Sequence, residues 1–107
     1  MVSLKEFQAL DLRVAEILSV DSVEGSSKLY ALQADVGGRQ VQMVAGLKGQ
    51  YAPEDLKGRK VIVVANLEPA KIRGVTSEAM LLAAVDSGGS VSLLTVDKDA
   101  SVGSKVM

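Results

Sequence analysis

Residues 61–84 read VIVVANLEPAKIRGVTSEAMLLAA, and the alternation of apolar and polar character within this stretch sets the expectations for the whole chain. Val61 to Ala65 is a short, β-branched apolar run of the kind that forms a strand covered on both faces. Asn66 ends it. From Leu67 to Ser77 the chain carries Pro69, Gly74, two cations and two hydroxyls, so it surfaces as a loop. Lys71 and Arg73 bracket Ile72; in extended geometry this sends both cations to one side and leaves Ile72 as an anchor on the other. Gly74 permits a tight turn. The second run, Met80 to Val85, is expected to restore burial and pin the loop at its far end. A pinned loop with two cations, an amide and hydroxyls suits the gripping of phosphate and sugar oxygens.

Val64, Ala65, Asn66, Leu67, Pro69, Ala70, Lys71, Arg73, Gly74, Ser77, Met80, Leu82, Ala83 and Ala84 carry a resemblance to a known family. The stretch resembles the signature of the tRNA-binding domain found at the C-terminus of many methionyl-tRNA synthetases, in free-standing dimeric tRNA-binding proteins and in the endothelial monocyte-activating polypeptide group. The resemblance implies that the face around the central loop meets tRNA through Asn66, Lys71, Arg73, Ser77 and Met80. Lys71 and Arg73 would neutralise phosphates, and Asn66 and Ser77 would hydrogen-bond sugar or base edges. Met80 would either pack against a base or fill the core, the core role being preferred. Lys28, Arg39 and Lys48 are candidate outer RNA contacts.

The 107 residues suit one domain, spanning 1–107, with a single modest core. With no Trp, one Phe and two Tyr, that core must be aliphatic. No apolar run approaches a membrane span and no secretory signal opens the chain, so a cytoplasmic location and no membrane partner are expected. The absence of Cys and His excludes disulfides and thiolate metal sites, and removes the commonest metal ligand and general base. Neither a metal nor a cofactor is expected. The net charge is −1, but it is uneven: from Lys28 to Arg73 eight cations face four acids, while the remainder holds four cations and nine acids. This asymmetry suggests a basic face on an acidic body.

Outward from the central stretch, Ser3 and Glu6 form a capping box, with Val2 and Phe7 as its hydrophobic staple, predicting a short helix to about Leu10. Asp11 and Arg13 read as an ion pair or turn contact holding the first strand. Leu12, Val14, Leu18 and Val20 share one face of an extended segment that Glu16 interrupts, which predicts a bulge or bend. Lys28 to Val36, the Gly37-Gly38 turn and Arg39 to Val44 form a hairpin. Pro53 to Leu56 begins a short helix that Gly58 stops. Gly88 and Gly89 turn into a strand from Val91 to Val96, and the tail from Val102 to Val106 resembles the family's closing segment. A short helix between the third and fourth strands of a closed meander is the order of an all-β OB-fold, a five-stranded Greek-key barrel.

Nothing in the chain joins a nucleophile to a base, so catalysis by this chain is not expected. The implied partners are tRNA, a second copy of the chain and a synthetase catalytic domain; DNA is not expected. Few aromatics disfavour base-stacking along a single strand and favour recognition by shape, phosphate and 2′-hydroxyl. Two positions depart from the family pattern: Ala45 where Ser is usual, and Ala79 where Gly is usual, costly there if the backbone needs a positive φ. The alternative of another class is a homodimeric secretion-associated chaperone or protein-interaction module of the same fold. A third reading is a domain excised from a larger synthetase, whose role is to dimerise the enzyme and hold tRNA.

Overall fold

The apolar run at Val61 becomes a strand flanked on both sides in the computed structural model, which describes residues 1–107. In chain order the elements are α1 (Leu4–Gln8), β1 (Leu12–Ser22), β2 (Tyr30–Asp35), β3 (Gln40–Ala45), α2 (Pro53–Leu56) and β4 (Lys60–Val64). They continue as β5 (Ala70–Ile72), β6 (Val75–Ser77), β7 (Met80–Leu81), β8 (Ala83–Val85) and β9 (Val91–Leu93). The main antiparallel sheet has the order β3-β2-β1-β4-β7 and curls into a nearly closed barrel of OB type, all-β apart from the two short helices. The hairpins β5-β6 and β8-β9 extend from it.

Strand β4 is buried on both faces, and the two faces have different neighbours. Val61 and Val63 point into the barrel with Ile17, Leu32, Met43 and Leu56, an aliphatic core without Phe or Trp. Ile62 and Val64 lie on the outer face opposite Val14 and Leu12 of β1. The tail runs along this part of β1: Val14 N–H donates to Ser104 O at 2.9 Å, and Val106 N–H donates to Leu12 O at 2.9 Å. It therefore takes the edge of β1 that β2 leaves vacant, because β2 pairs only with residues from Glu16 onward.

The expected interruption in β1 is a register shift between Ile17 and Ser19, just beyond Glu16. Its effect differs from the single-face reading. Leu12 and Val14 face outward, Ala15 and Ile17 face the core, and the extra residue at the bulge returns Val20 to the core side. The run from Met80 to Val85 also departs from expectation. It breaks at Leu82, whose N–H donates to Ile62 O at 2.8 Å, and its side chains are exposed or only partly buried. The last strand ends at Leu93 instead of Val96.

Helix α1 carries the predicted capping box, Glu6 N–H to Ser3 Oγ at 3.1 Å and Ser3 N–H to Glu6 Oε1 at 3.0 Å. The Ser3 backbone, with its hydroxyl, holds the Glu6 carboxyl below its ordinary value of 4.5. That contribution is present above the ordinary value and fades as pH falls through the lowered one. No residue of α1 is buried.

Gly37 and Gly103 meet where the β2-β3 turn touches the tail. A Cβ on Gly37 would stand 2.5 Å from Gly103 Cα, and Gly37 has φ +94°. Gly38 has φ +95° but open space around it. Gly38→Ala is therefore expected to cost about 1 kcal/mol, the left-handed backbone penalty alone. Gly37→Ala should cost clearly more, because it also separates the tail from the turn. Urea denaturation of the two variants measures the difference.

Candidate nucleic-acid interface

The loop between β4 and β7 is a short hairpin. Lys71 pairs with Thr76 and Ile72 with Val75, leaving Arg73 and Gly74 as a two-residue turn with φ +52° and +79°. Two successive positive φ values characterise the hairpin turn whose twist matches its strands. Arg73 is the one non-glycine residue with positive φ, a conformation costing about 1 kcal/mol. Its guanidinium reaches Gly25 O at 3.3 Å and leans the hairpin on the β1-β2 loop. The expected alternation is thus corrected: Arg73 is in the turn, not in extended backbone, and Ile72 is 36% exposed and not part of the core. Lys71, Ile72 and Arg73 all face solvent.

Immediately after the hairpin, the chain closes the barrel. Gln42 N–H of β3 donates to Glu78 Oε1 at 3.0 Å, and Glu78 N–H donates to Gln42 O at 2.8 Å. The Gln42 side chain donates to Thr76 O at 2.9 Å. Ser77 is only 5% exposed; its hydroxyl accepts from Val44 N–H and donates to Ala79 O, both at 3.1 Å. Both hydrogen-bonding capacities of the Ser77 hydroxyl are used inside the fold. Ala79 is fully buried with an ordinary backbone, so the departure from Gly adds a core methyl without strain.

Met80 is 47% exposed, which overturns the core role preferred from sequence. It borders an apolar groove of about 300 Å³ with Val44, Leu47, Leu81, Val85 and Val91. Ala45 lines the same groove, so its missing hydroxyl makes the surface apolar there.

The remaining predicted residues fall into two groups. Asn66 ties β4 to the end of α1: Nδ2 donates to Ala9 O and Oδ1 accepts from Asp11 N–H, both at 2.8 Å. Beside it, Arg39 donates to Ala65 O at 2.9 Å. Arg39 shares a polar cleft of about 250 Å³ with Arg13, whose Nε pairs with Asp11 at 2.7 Å and whose Nη1 donates to Gly103 O at 3.2 Å. Arg13, expected from sequence to hold the first strand, thus also lines a cleft that depends on the tail and that no spacing in the sequence signals. Lys28 and Lys48 are brought together elsewhere by a backbone bond, Lys48 N–H to Lys28 O at 3.1 Å. Only Arg13 and Lys60 form ion pairs with carboxylates; Lys28, Arg39, Lys48, Lys71 and Arg73 form none. No group of three acidic side chains gathers that could hold a metal.

The profile of the family described as "Putative tRNA binding domain" matches residues 12–105. The chain belongs to this family. Relatives of the domain include the methionine–tRNA ligases of Methanocaldococcus jannaschii, 51% identical over 105 residues, and of Pyrococcus furiosus, 50% identical over 105 residues. Each match covers 98% of the chain but only 16% and 14%, respectively, of those proteins. Among solved structures, the domain resembles the methionyl-tRNA synthetase-related protein from Pyrococcus horikoshii, with TM-score 0.93 and 33% identity. That likeness covers 100% of this chain and 98% of the other. The domain also resembles the chaperone CsaA of Bacillus anthracis, with TM-score 0.90 and 29% identity over 100% of this chain and 99% of the other. No helix is long and apolar enough to cross a membrane.

Replacing Ser77 by Ala leaves Val44 N–H without its partner at the closing seam. A loss of about 1–3 kcal/mol is expected in chemical denaturation. Lys71→Ala, at an exposed site without an ion-pair partner, should leave the same transition within about 0.5 kcal/mol of its position.

Proposed function

We propose that the domain binds tRNA largely independently of sequence and adds affinity to a synthetase or another tRNA user, without itself catalysing a reaction. The carrying observation is the β5-β6 hairpin, which presents Lys71 and Arg73 to solvent without carboxylate partners in a chain of the tRNA-binding family. On this reading Lys71 and Arg73 neutralise phosphates, and Lys28 and Lys48 supply flanking charge. Met80 offers an exposed apolar contact, and Arg39 a further cationic one. Ser77 and Asn66 position the loop at its two ends, since their polar groups serve the fold. A cytoplasmic location and one functional unit across residues 1–107 complete the proposal.

Lys71→Ala and Arg73→Ala are each expected to weaken tRNA binding about fivefold, roughly 1 kcal/mol. Each should also lower the slope of log affinity against log salt by about 1. Filter binding across a salt series measures both; a double variant with unchanged affinity and slope sinks the hairpin as the binding face. Several unrelated tRNAs should bind within about tenfold of one another, or 1.4 kcal/mol, because two cations and few polar groups offer little base-edge discrimination.

The domain is further proposed to act as a homodimer joined through α1 and the tail. Val2, Leu4, Phe7 and Leu10 are exposed around α1, leaving an apolar surface for a two-fold partner. Sedimentation should give a dimer at micromolar concentration that Leu4→Glu with Phe7→Glu dissociates; a wild-type monomer would remove this element. A second reading, peptide capture, is favoured by the apolar groove beside Met80 and the likeness to a chaperone. It requires unfolded peptide to bind more tightly than tRNA and to be insensitive to salt.

A further inference from the structure

Arg59 and Tyr51 lie outside every residue grouping the sequence analysis assigned to RNA. Arg59 follows Gly58 at the end of α2 and is exposed; its guanidinium carbon stands 5.3 Å from the centre of the Tyr51 ring. Tyr51 is a rigid platform for it. The Tyr51 hydroxyl accepts from Leu93 N–H at 3.2 Å, and its carbonyl accepts from the Tyr30 hydroxyl at 3.0 Å. A guanidinium held over a fixed ring by a cation–π contact loses less conformational freedom on meeting an anion than a mobile lysine does. Arg59 forms no ion pair, although Glu54 and Asp55 stand on the adjoining helix.

Backbone contacts connect this pair to the hairpin. Arg73 reaches Gly25 O in the β1-β2 loop, and Lys28 lies three residues farther along that loop. Lys28 O accepts from Lys48 N–H, and Lys48 bridges to Tyr51, over which Arg59 sits. Glu24 is the acid within this path, and it pairs with none of these cations. The contacts therefore link the segments that carry Arg73, Lys28, Lys48 and Arg59 in that order, and none of the four cations has a carboxylate partner.

We propose that Arg59, held on Tyr51, is a second phosphate contact for the same RNA that the hairpin grips, so that the footprint follows these segments. The inference rests on the RNA-binding reading above. Its ligand is the phosphate–ribose backbone, because guanidinium edges and lysine ammoniums suit phosphate oxygens and carry no base code.

The test uses the full chain, unfractionated tRNA as probe and filter binding at several salt concentrations. Arg59→Met keeps an unbranched side chain over Tyr51 but removes the charge; Arg59→Lys keeps the charge but loses the guanidinium's forked donors. The expected results for Arg59→Met are an affinity loss of about threefold to tenfold and a salt slope lower by about 0.9, one phosphate contact. Arg59→Lys should retain the wild-type slope. Combined with Lys71→Ala and Arg73→Ala, the losses in affinity should multiply, as for separate contacts. Wild-type affinity and slope in Arg59→Met, alongside a weakened hairpin variant, would overturn the Arg59 contact while leaving the hairpin reading intact. Equal losses in Arg59→Met and Arg59→Lys with no change in slope would make Arg59 a purely structural residue. Absence of tRNA binding by the wild type would overturn both readings.

Discussion

The barrel depends on a seam where two strands come close without forming a ladder. Strand β3 ends one side of the main sheet and β7 ends the other, and residues 76–78, which lead into β7, join β3 through the Ser77 and Glu78 side chains and the Thr76 and Glu78 backbone. Edge N–H and C=O groups left inside such a gap would lose their hydrogen bonds to water without replacement. Ser77, Glu78 and Gln42 satisfy them one by one. The hairpin that carries Lys71 and Arg73 leads directly into this seam, so the same few residues that close the core fix the base of the exposed loop. No buried side-chain polar atom is left without a partner.

Around that seam the outer surface of β1 and β4 needs covering. Leu12, Val14, Ile62 and Val64 form an apolar strip outside the barrel, and the tail runs beside it along β1. The close approach of Gly37 and Gly103 permits this route, and the Arg13 contact to Gly103 O reinforces it. Asn66 then ties α1 to the exit of β4. The tail is thus integral to the sheet, whereas α1 is attached at its C-terminal end and presents its apolar side chains to solvent.

Electrostatics explain how a chain of net charge −1 can offer a cationic surface. Lys60 and Arg13 are held in ion pairs, and Lys60 keeps the Asp99 carboxyl below its ordinary value through a 2.6 Å hydrogen bond. The cations of the hairpin and of the β1-β2 and β3-α2 loops have no such partners. Exposed charges of this kind contribute little to stability. No carboxylate of the fold occupies them.

The local chemistry was legible in the sequence. The Ser3–Glu6 box, the Gly37-Gly38 turn, the proline start of α2, the Asp11–Arg13 pair and the doubly buried run at Val61 all act over a few residues, where residue type constrains backbone geometry strongly. The OB arrangement followed from the order of those elements and from the family signature. Tertiary structure decided the roles at the site. Ser77 looks like a free hydroxyl in a polar loop, yet it accepts from Val44 N–H of β3 and donates to Ala79 O of its own segment. Met80 looks like core in an apolar run, yet it alternates with Ala79 and Leu81, which face the core, and so takes the outer face. Arg73 looks extended, yet it closes a two-residue hairpin whose two turn positions both have positive φ. The Arg59–Tyr51 contact and the Arg13–Arg39 cleft bring together residues far apart or oddly spaced in the chain, which no periodicity records. A side chain's partners across the barrel are set by the register of distant strands, and that register exists only once the whole sheet has closed.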